Sequence, residues 1–380
     1  MARLLYLSPD LSGNAVYPPW QFAQAMAEGG HTTALAGPGS DGPWPPLRSE
    51  LAGAVVLPGR WAGLPRARAA VGLARKLGAD VVCPFKAIPT SFGVARRVRH
   101  TLGIPLVLHL DDWDAGFFEG VGRLRRIWRG MKAVSDPHGD LWLRYMESRV
   151  RNADALTVST RALQRRFGGT LVRQGLDVDR YCPEAYPRGE ARARLGIDPD
   201  APMVLFLGTP RLHKGLGQLT APAGRPGALW FVGASAADLT DSGVPRALVE
   251  GAHVRGAVPF GEAAWYLAAC DVFVVPQRPT PYAEHQLPAK LVQAMALGCA
   301  IVATDVGDAG ELLGGVSAAG VVVPADDPEA VPSAVAGLLD DPEAASRMGA
   351  EARRRAESDL GWKSMRQGVE SVLAKVGIHG

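Results

Sequence analysis

The sequence predicts an α/β protein made of two Rossmann-like, doubly wound parallel-sheet domains facing a cleft. Three observations lead there. Short Val-, Leu- and Ala-rich runs recur along the chain, and most are continuous rather than alternating. That is the pattern of strands covered on both faces, hence of parallel sheets flanked by helices. Helical patterns fill the gaps, and the β-α-β-α alternation runs through the chain twice. Finally, 380 residues exceed one hydrophobic core, and about 100–200 residues per domain gives two.

The strand candidates in the first half are Leu4–Leu7, Thr32–Ala36, Val81–Cys83, Leu106–Leu110 and Ala155–Val158. In the second half they are Met203–Leu207, Leu229–Val232, Val272–Val275, Ala300–Ala303 and Val321–Val323. The spacing predicts a helix over Pro19–Glu28, opened by a proline and closed by Gly29-Gly30. Turn-rich stretches at Pro183–Gly189 and Asp198–Pro202 mark a boundary near 183–200. The division is therefore 1–183, 184–358, and a terminal segment 359–380 that reads as a helix from Trp362 to Val376.

Composition narrows the function. Hydrophobic residues at 47% and charged residues at 21% describe an ordinary globular protein. A net charge of +3 predicts no nucleic-acid partner. The run Arg353-Arg354-Arg355 reads as a solvated helix face. Cys83, Cys182, Cys270 and Cys299 form no CxxC pair and have no metal-ligand spacing. Three of them sit in or beside apolar runs, as reduced core cysteines do. Met1–Leu7 leads directly into a strand and leaves no room for a signal-peptide core. No apolar stretch reaches the ~20 residues of a membrane span. The expectation is a cytoplasmic protein, with peripheral membrane contact left open.

Ligands of open α/β folds bind at the carboxyl ends of strands, so polar clusters there come next. Leu207-Gly208-Thr209-Pro210-Arg211-Leu212-His213-Lys214-Gly215 follows a strand and is expected to open a helix. Arg211 and Lys214 there would favour an anion, helped by backbone N–H groups and the helix dipole. A plain solvent-exposed turn is the competing reading. The segment Pro276–Gly298 has a strand end, an irregular loop and a helix starting near Pro288 or Ala289. Glu284 stands before that start and can accept from sugar hydroxyls. It can equally be an ordinary helix-start carboxylate, and Gln293 a solvated helix residue. Ser12-Gly13-Asn14-Ala15 is a glycine-bearing turn that lets a ligand approach the backbone. It is not GxGxxG, which disfavours a dinucleotide. His109-Leu110-Asp111-Asp112-Trp113-Asp114 places three carboxylates at a strand end. A polar active-site wall, a metal or local loop bonding all fit it.

Together these pieces resemble retaining glycosyltransferases of the GT-B fold, family 4, over nearly the whole chain. Ala153–Ser159 resembles the family's AD-x-x-x-x-S stretch. Gly175–Tyr181 resembles its NGVDxxxF segment, with Gln174 where Asn is usual. Gly208 to Lys214-Gly215 resembles the phosphate-gripping GR-x4-KG segment, with Thr209 in the usual Arg position and Arg211 as the substitute cation. Gly307 and Glu311 resemble GG-x-x-E, and the helix after Trp362 resembles one that crosses back onto the first domain. The family's donor-site E-x7-E pattern is altered: Gln293 takes the second place, and eight residues earlier stands His285, with Glu284 one before it.

The resemblance implies transfer of a glycosyl unit from a nucleotide-sugar donor to a hydroxyl acceptor, with the donor's anomeric configuration retained. It implies neither cofactor nor metal, because Arg and Lys can neutralise the leaving diphosphate. Donor-binding residues would be Gly13, Gly208, Arg211, Lys214, Arg255, Glu284, His285, Gln286, Leu287 and Gln293. The first domain would hold the acceptor through Asn14, Lys86, His109, Asp111 and Asp112. Asp111 would polarise the acceptor hydroxyl, while Glu284, Arg211 and Lys214 would complete the catalytic set. Lys86 reads equally well as a solvated loop lysine. Two alternatives stay open: an epimerase or hydrolase of nucleotide sugars on the same fold, and an inactive donor-binding subunit suggested by Gln293.

Overall fold

A computed structural model describes residues 1–39, 42–59, 63–119, 136–222, 225 and 227–378. The chain forms two compact units. The first joins Met1–Gly175 to Trp362–Gly380, and the second is Leu176–Gly361. The change of unit thus comes at Gly175, ahead of the turn-rich stretch at 183–200, and again at Trp362 rather than 359.

In the first unit, β1 (Arg3–Leu7), β2 (Thr32–Gly37), β3 (Val55–Val56) and β4 (Val81–Pro84) form a parallel sheet in the order β3-β2-β1-β4. A parallel ladder of β5 (Val107–Leu110), β6 (Ala155–Val158) and β7 (Thr170–Leu171) continues it. The two are stitched by parallel bridges Val82↔Leu106 and Phe85↔His109. Leu4, Leu5 and Leu7 are wholly buried, as expected for a central strand sandwiched between helices. The first helix runs Tyr17–Glu28, starting two residues before the predicted Pro19. Pro18 and Pro19 both fit its first turn, where an N–H would have no acceptor.

The helix Trp362–Lys375 belongs to this unit. Trp362 packs edge-on against Trp20 with centroids 6.4 Å apart, and Arg366 donates to the carbonyl of Ala25 at 3.3 Å. At the other side of each crossover, Leu176 pairs with Gly361 in the second unit, its N–H donating to Leu360 O at 2.8 Å.

The second unit contains β8 (Val204–Leu207), β9 (Leu229–Val232), β10 (His253–Arg255), β11 (Val272–Val275), β12 (Ala300–Thr304) and β13 (Val321–Val323). All are parallel, in the order β10-β9-β8-β11-β12-β13. In both sheets the early strands add outward on one side and the later strands on the other. The order reverses between β1 and β4 in the first sheet, and between β8 and β11 in the second. Carboxyl-end loops part at such a point and leave a place for a ligand.

Three strands were not expected: Val55–Val56, Thr170–Leu171 and His253–Arg255. Each is two or three residues long, lies at a sheet edge and contains no fully buried residue, so no apolar run announces it. The helix expected after Gly215 is replaced by two 3-10 turns, Leu212–Lys214 and Leu216–Gln218. The triple arginine is only partly a solvated face. Arg354 pairs with Glu351, but Arg353 donates to the carbonyls of Val178, Tyr181 and Ala296, and Arg355 to those of Leu312 and Gly314.

Candidate functional site

Each unit gathers predicted residues at its own reversal point. In the second unit, the loop after β8 crosses directly over the end of β11. Gly215 makes this crossing possible. It adopts φ +67°, and a β-carbon there would lie 1.8 Å from the carbonyl oxygen of Pro276. No other residue type fits that approach. The crossing carries Lys214 to the loop after β11, where its ammonium donates to Gln286 Oε1 at 2.8 Å. Gln286 in turn donates to the Tyr282 hydroxyl at 2.7 Å, and the Tyr282 ring meets His213 edge-on at 5.1 Å. The two segments singled out in the sequence are thus one constellation.

Around it, Glu284 accepts the N–H of Gly307 at 3.1 Å, which ties the β11 loop to the loop after β12. Gly307 sits at φ +64°, close under the carbonyls of Ala283, Glu284 and Gln286. His285 donates through Nδ1 to Pro281 O at 2.7 Å, and Leu287 is buried. The helix Ala289–Ala296 begins where expected. Gln293 is not solvated: it is 2% exposed, and its Oε1 accepts from Lys290 at 2.7 Å. Arg211 is exposed at the mouth of the β8 loop, beside Gly208 at the strand end. Arg255 ends the edge strand β10, its side chain exposed and its carbonyl bonded to the N–H groups of Gly233 and Ala234. Gly13 lies in the other unit.

In the first unit, the loops after β1, β4 and β5 carry the remaining candidates. Gly13 and the exposed Asn14 stand at a 3-10 turn after β1. Lys86 is not a solvated loop lysine. It is 7% exposed, and its ammonium lies 2.7 Å from Asp112, 3.0 Å from Asp114 and 3.6 Å from Asp111. Among the described residues it is also the one non-glycine with positive φ, at 64°, a strained conformation that surrounding structure must enforce. Its Nζ stands where a cation bound by the three carboxylates would otherwise sit. Among the described residues no group of His, Cys, Asp and Glu is arranged to hold a metal ion.

Burial drives the electrostatics of this cluster. It pushes the Asp111 carboxyl up to about 7 against the lowering effect of Lys86, with Asp112 and Asp114 adding to the rise. Asp114 is raised for the same reasons. His109 is driven down to about 3 by burial first and by Lys86 second, so the ring is neutral at physiological pH. It packs between Phe22 and Phe85, with Nδ1 2.9 Å from Thr157 Oγ1. At 2% exposure it offers an acceptor no surface and supports the site from within the core.

A small cavity beside the cluster is lined by Asp112, Trp113, Asp114, Glu147 and Phe167. Trp113 donates to Glu147 at 2.5 Å, under the guanidinium of Arg166 at 3.6 Å from its ring centre. Sequence reading passed over Asp114 as a site residue, and over Tyr282, Lys290 and Glu147. The signal for Asp114 was its place in the carboxylate run; the other three become visible only when the elements are packed.

Comparison with known proteins bears on the family and the fold. A family model described as glycosyl transferases group 1 matches residues 205–341. The D-inositol 3-phosphate glycosyltransferase of Xylanimonas cellulosilytica is 30% identical over 302 residues, covering 70% of this chain and 68% of that protein. Alpha-maltose-1-phosphate synthase of Mycobacterium tuberculosis is 30% identical over 223 residues, 54% of this chain. That match spans 56% of the synthase's length, about half. Among solved structures, sucrose-phosphate synthase of Thermosynechococcus elongatus superposes with a TM-score of 0.75 at 20% identity, covering 99% of both chains. Anabaena Alr3699/HepE in complex with UDP-glucose gives 0.73 at 17% identity, covering 98% of this chain and 100% of that one. The fold predicted from the sequence is the fold of these transferases.

Proposed function

The chain belongs to the group 1 glycosyl transferases, and on that premise we propose that it moves a glycosyl unit from a nucleotide-sugar donor to a hydroxyl-bearing acceptor. The second unit holds the donor and the first the acceptor. One observation carries this reading: Gly215 lets the β8 loop reach the β11 loop, so that Lys214 and Gln286 meet at the reversal point of the second sheet.

The chemistry follows from charge. As the bond from the sugar's anomeric carbon to the diphosphate breaks, negative charge grows on the leaving oxygen. Lys214 and Arg211 neutralise it without a metal, while Glu284 and the surrounding loop N–H groups orient the sugar. On the acceptor side, Lys86 holds the carboxylates in place, and Asp111 or Asp112 polarises the attacking hydroxyl. Asp111, with a carboxyl near neutrality, suits proton acceptance at physiological pH. The product keeps the donor's configuration, and the reaction runs in the cytoplasm. No helix among the described residues is long and apolar enough to cross a membrane.

The test begins with thermal shift against a nucleotide panel, since a ligand of the folded form raises the melting point. UDP-glucose comes first in the panel because HepE binds it. With the donor and acceptor found, Lys214→Ala and Arg211→Ala should each slow transfer by ~10²–10³. Near-normal turnover in both variants removes the assignment. Product anomers read by NMR and activity in the presence of a chelator check retention and metal independence. Conversion of the donor with no acceptor present points instead to the epimerase or hydrolase.

A further inference from the structure

Lys290 carries a half-buried ammonium that no carboxylate answers. It is the second residue of the helix Ala289–Ala296, four residues after the Gln286 that Lys214 holds. Its Nζ donates to Gln293 Oε1 at 2.7 Å and lies 5.1 Å from the centre of the Phe260 ring. It joins no ion pair among the described residues. Glu262 lies 4.0 Å from Arg194, and Arg353 is 2.7 Å from Glu357. Burial alone lowers the Lys290 pKa, to about 8.

A charge withdrawn from water without a counter-charge weakens a fold. Gln293 maintains that condition. Its amide oxygen orients the ammonium but brings no negative charge, as a glutamate would. The face of Phe260 stabilises the cation without neutralising it. The pair therefore presents a fixed positive charge at the start of the donor-site helix.

We propose that Lys290 is a further cation of the donor site, positioned by Gln293 and Phe260 to meet an anionic oxygen of the nucleotide sugar. This rests on the transferase reading above. The oxyanion has two sources, the donor's diphosphate or a carboxylate on its sugar.

The experiment measures binding to the full-length chain by calorimetry. The ligands are uridine, guanosine and adenosine diphosphates, then the matching nucleotide sugars with and without a uronate carboxylate. Lys290→Met should weaken binding roughly 10–100-fold, as loss of a charge-assisted contact does, with an unchanged or higher melting temperature. Gln293→Glu should weaken it as well, by neutralising the ammonium in place. Loss with the nucleoside diphosphate identifies the diphosphate as the anion; loss only with the uronate identifies the sugar carboxylate. Wild-type affinity should fall from pH 7 to pH 9 as the ammonium loses its proton.

Unchanged affinity in Lys290→Met overturns the inference and leaves the transferase reading standing. Tighter binding or faster transfer in Gln293→Glu also overturns it. So does a marked drop in melting temperature in Lys290→Met, which assigns the lysine a structural role. Failure of the wild type to bind any nucleotide sinks both readings.

Discussion

Replacing Lys86 by methionine removes one positive charge and leaves three carboxylates in its place. The Lys86 side chain is 9% exposed, and those of Asp111, Asp112 and Asp114 are 9%, 14% and 25% exposed. Breaking a buried pair by deleting one partner costs about 3–5 kcal/mol, because the remaining charge is uncompensated. In a unit of about 190 residues, at about 2–4 °C per kcal/mol, that lowers the melting temperature by roughly 6–20 °C.

The deficit must depend on pH, and the sign is fixed. Without Lys86, which lowers both, the folded-state pKa values of Asp111 and Asp114 rise further above their unfolded values. A raised carboxyl pKa means the folded form binds more protons, so stability falls as pH climbs from the unfolded value through the folded one. The variant should therefore approach wild-type stability near pH 4 and show its full deficit near pH 8. Chemical denaturation across that range measures it. Combining Lys86→Met with Asp112→Asn should restore part of the loss at pH 8. A deficit under about 1 kcal/mol, or one independent of pH, refutes the assignment of Lys86 as the counter-charge of this cluster.

Gly215→Ala places a β-carbon against Pro276 O in a left-handed backbone. It should cost at least ~1–2 kcal/mol in a denaturant melt and depress transfer together with stability, because Lys214 moves with the loop. Arg353→Met gives up three carbonyl bonds of 2.8–2.9 Å and the ion pair to Glu357, and should destabilise by about 2–4 kcal/mol. Arg354→Ala, on the exposed face, should stay within ~0.5 kcal/mol, and equal effects in the two variants would refute the division of the arginine run. With Asp111 as the base, kcat/KM for the acceptor should rise with pH through about 7, a limb that Asp111→Asn abolishes. A flat profile in the wild type transfers that role to another group.

Much of the fold was legible because strands buried on both faces must be written as apolar runs. Ala155–Val158, Leu229–Val232, Val272–Val275 and Val321–Val323 fall where the sequence puts them. Lys214 and Glu284 stand out in the sequence as candidates because they follow such strands. The turns after Gly215 do not, since a helical composition gives no warning that one glycine must turn left-handed to clear Pro276. For Lys86 the sequence leaves an acceptor-side role and an ordinary loop lysine equally open, as its three partners are 25 to 28 residues away in sequence. Lys290 and Tyr282 were missed for a similar reason. Their meaning depends on which side chains the packed loops bring to them, and no spacing encodes that.

The first unit is interrupted in sequence by the whole of the second, and its helix Trp362–Lys375 is made only after the second unit has been. His31 meets Glu370 across 339 residues. At ~5–20 residues per second, the surface under Trp20 waits tens of seconds during synthesis for Trp362 to cover it. The inserted unit has its ends pinned together at Leu176 and Leu360 and can close as soon as it is complete. The unit that contains β1 is therefore completed after the unit inserted into it, and deleting Trp362–Lys375 strips its cover.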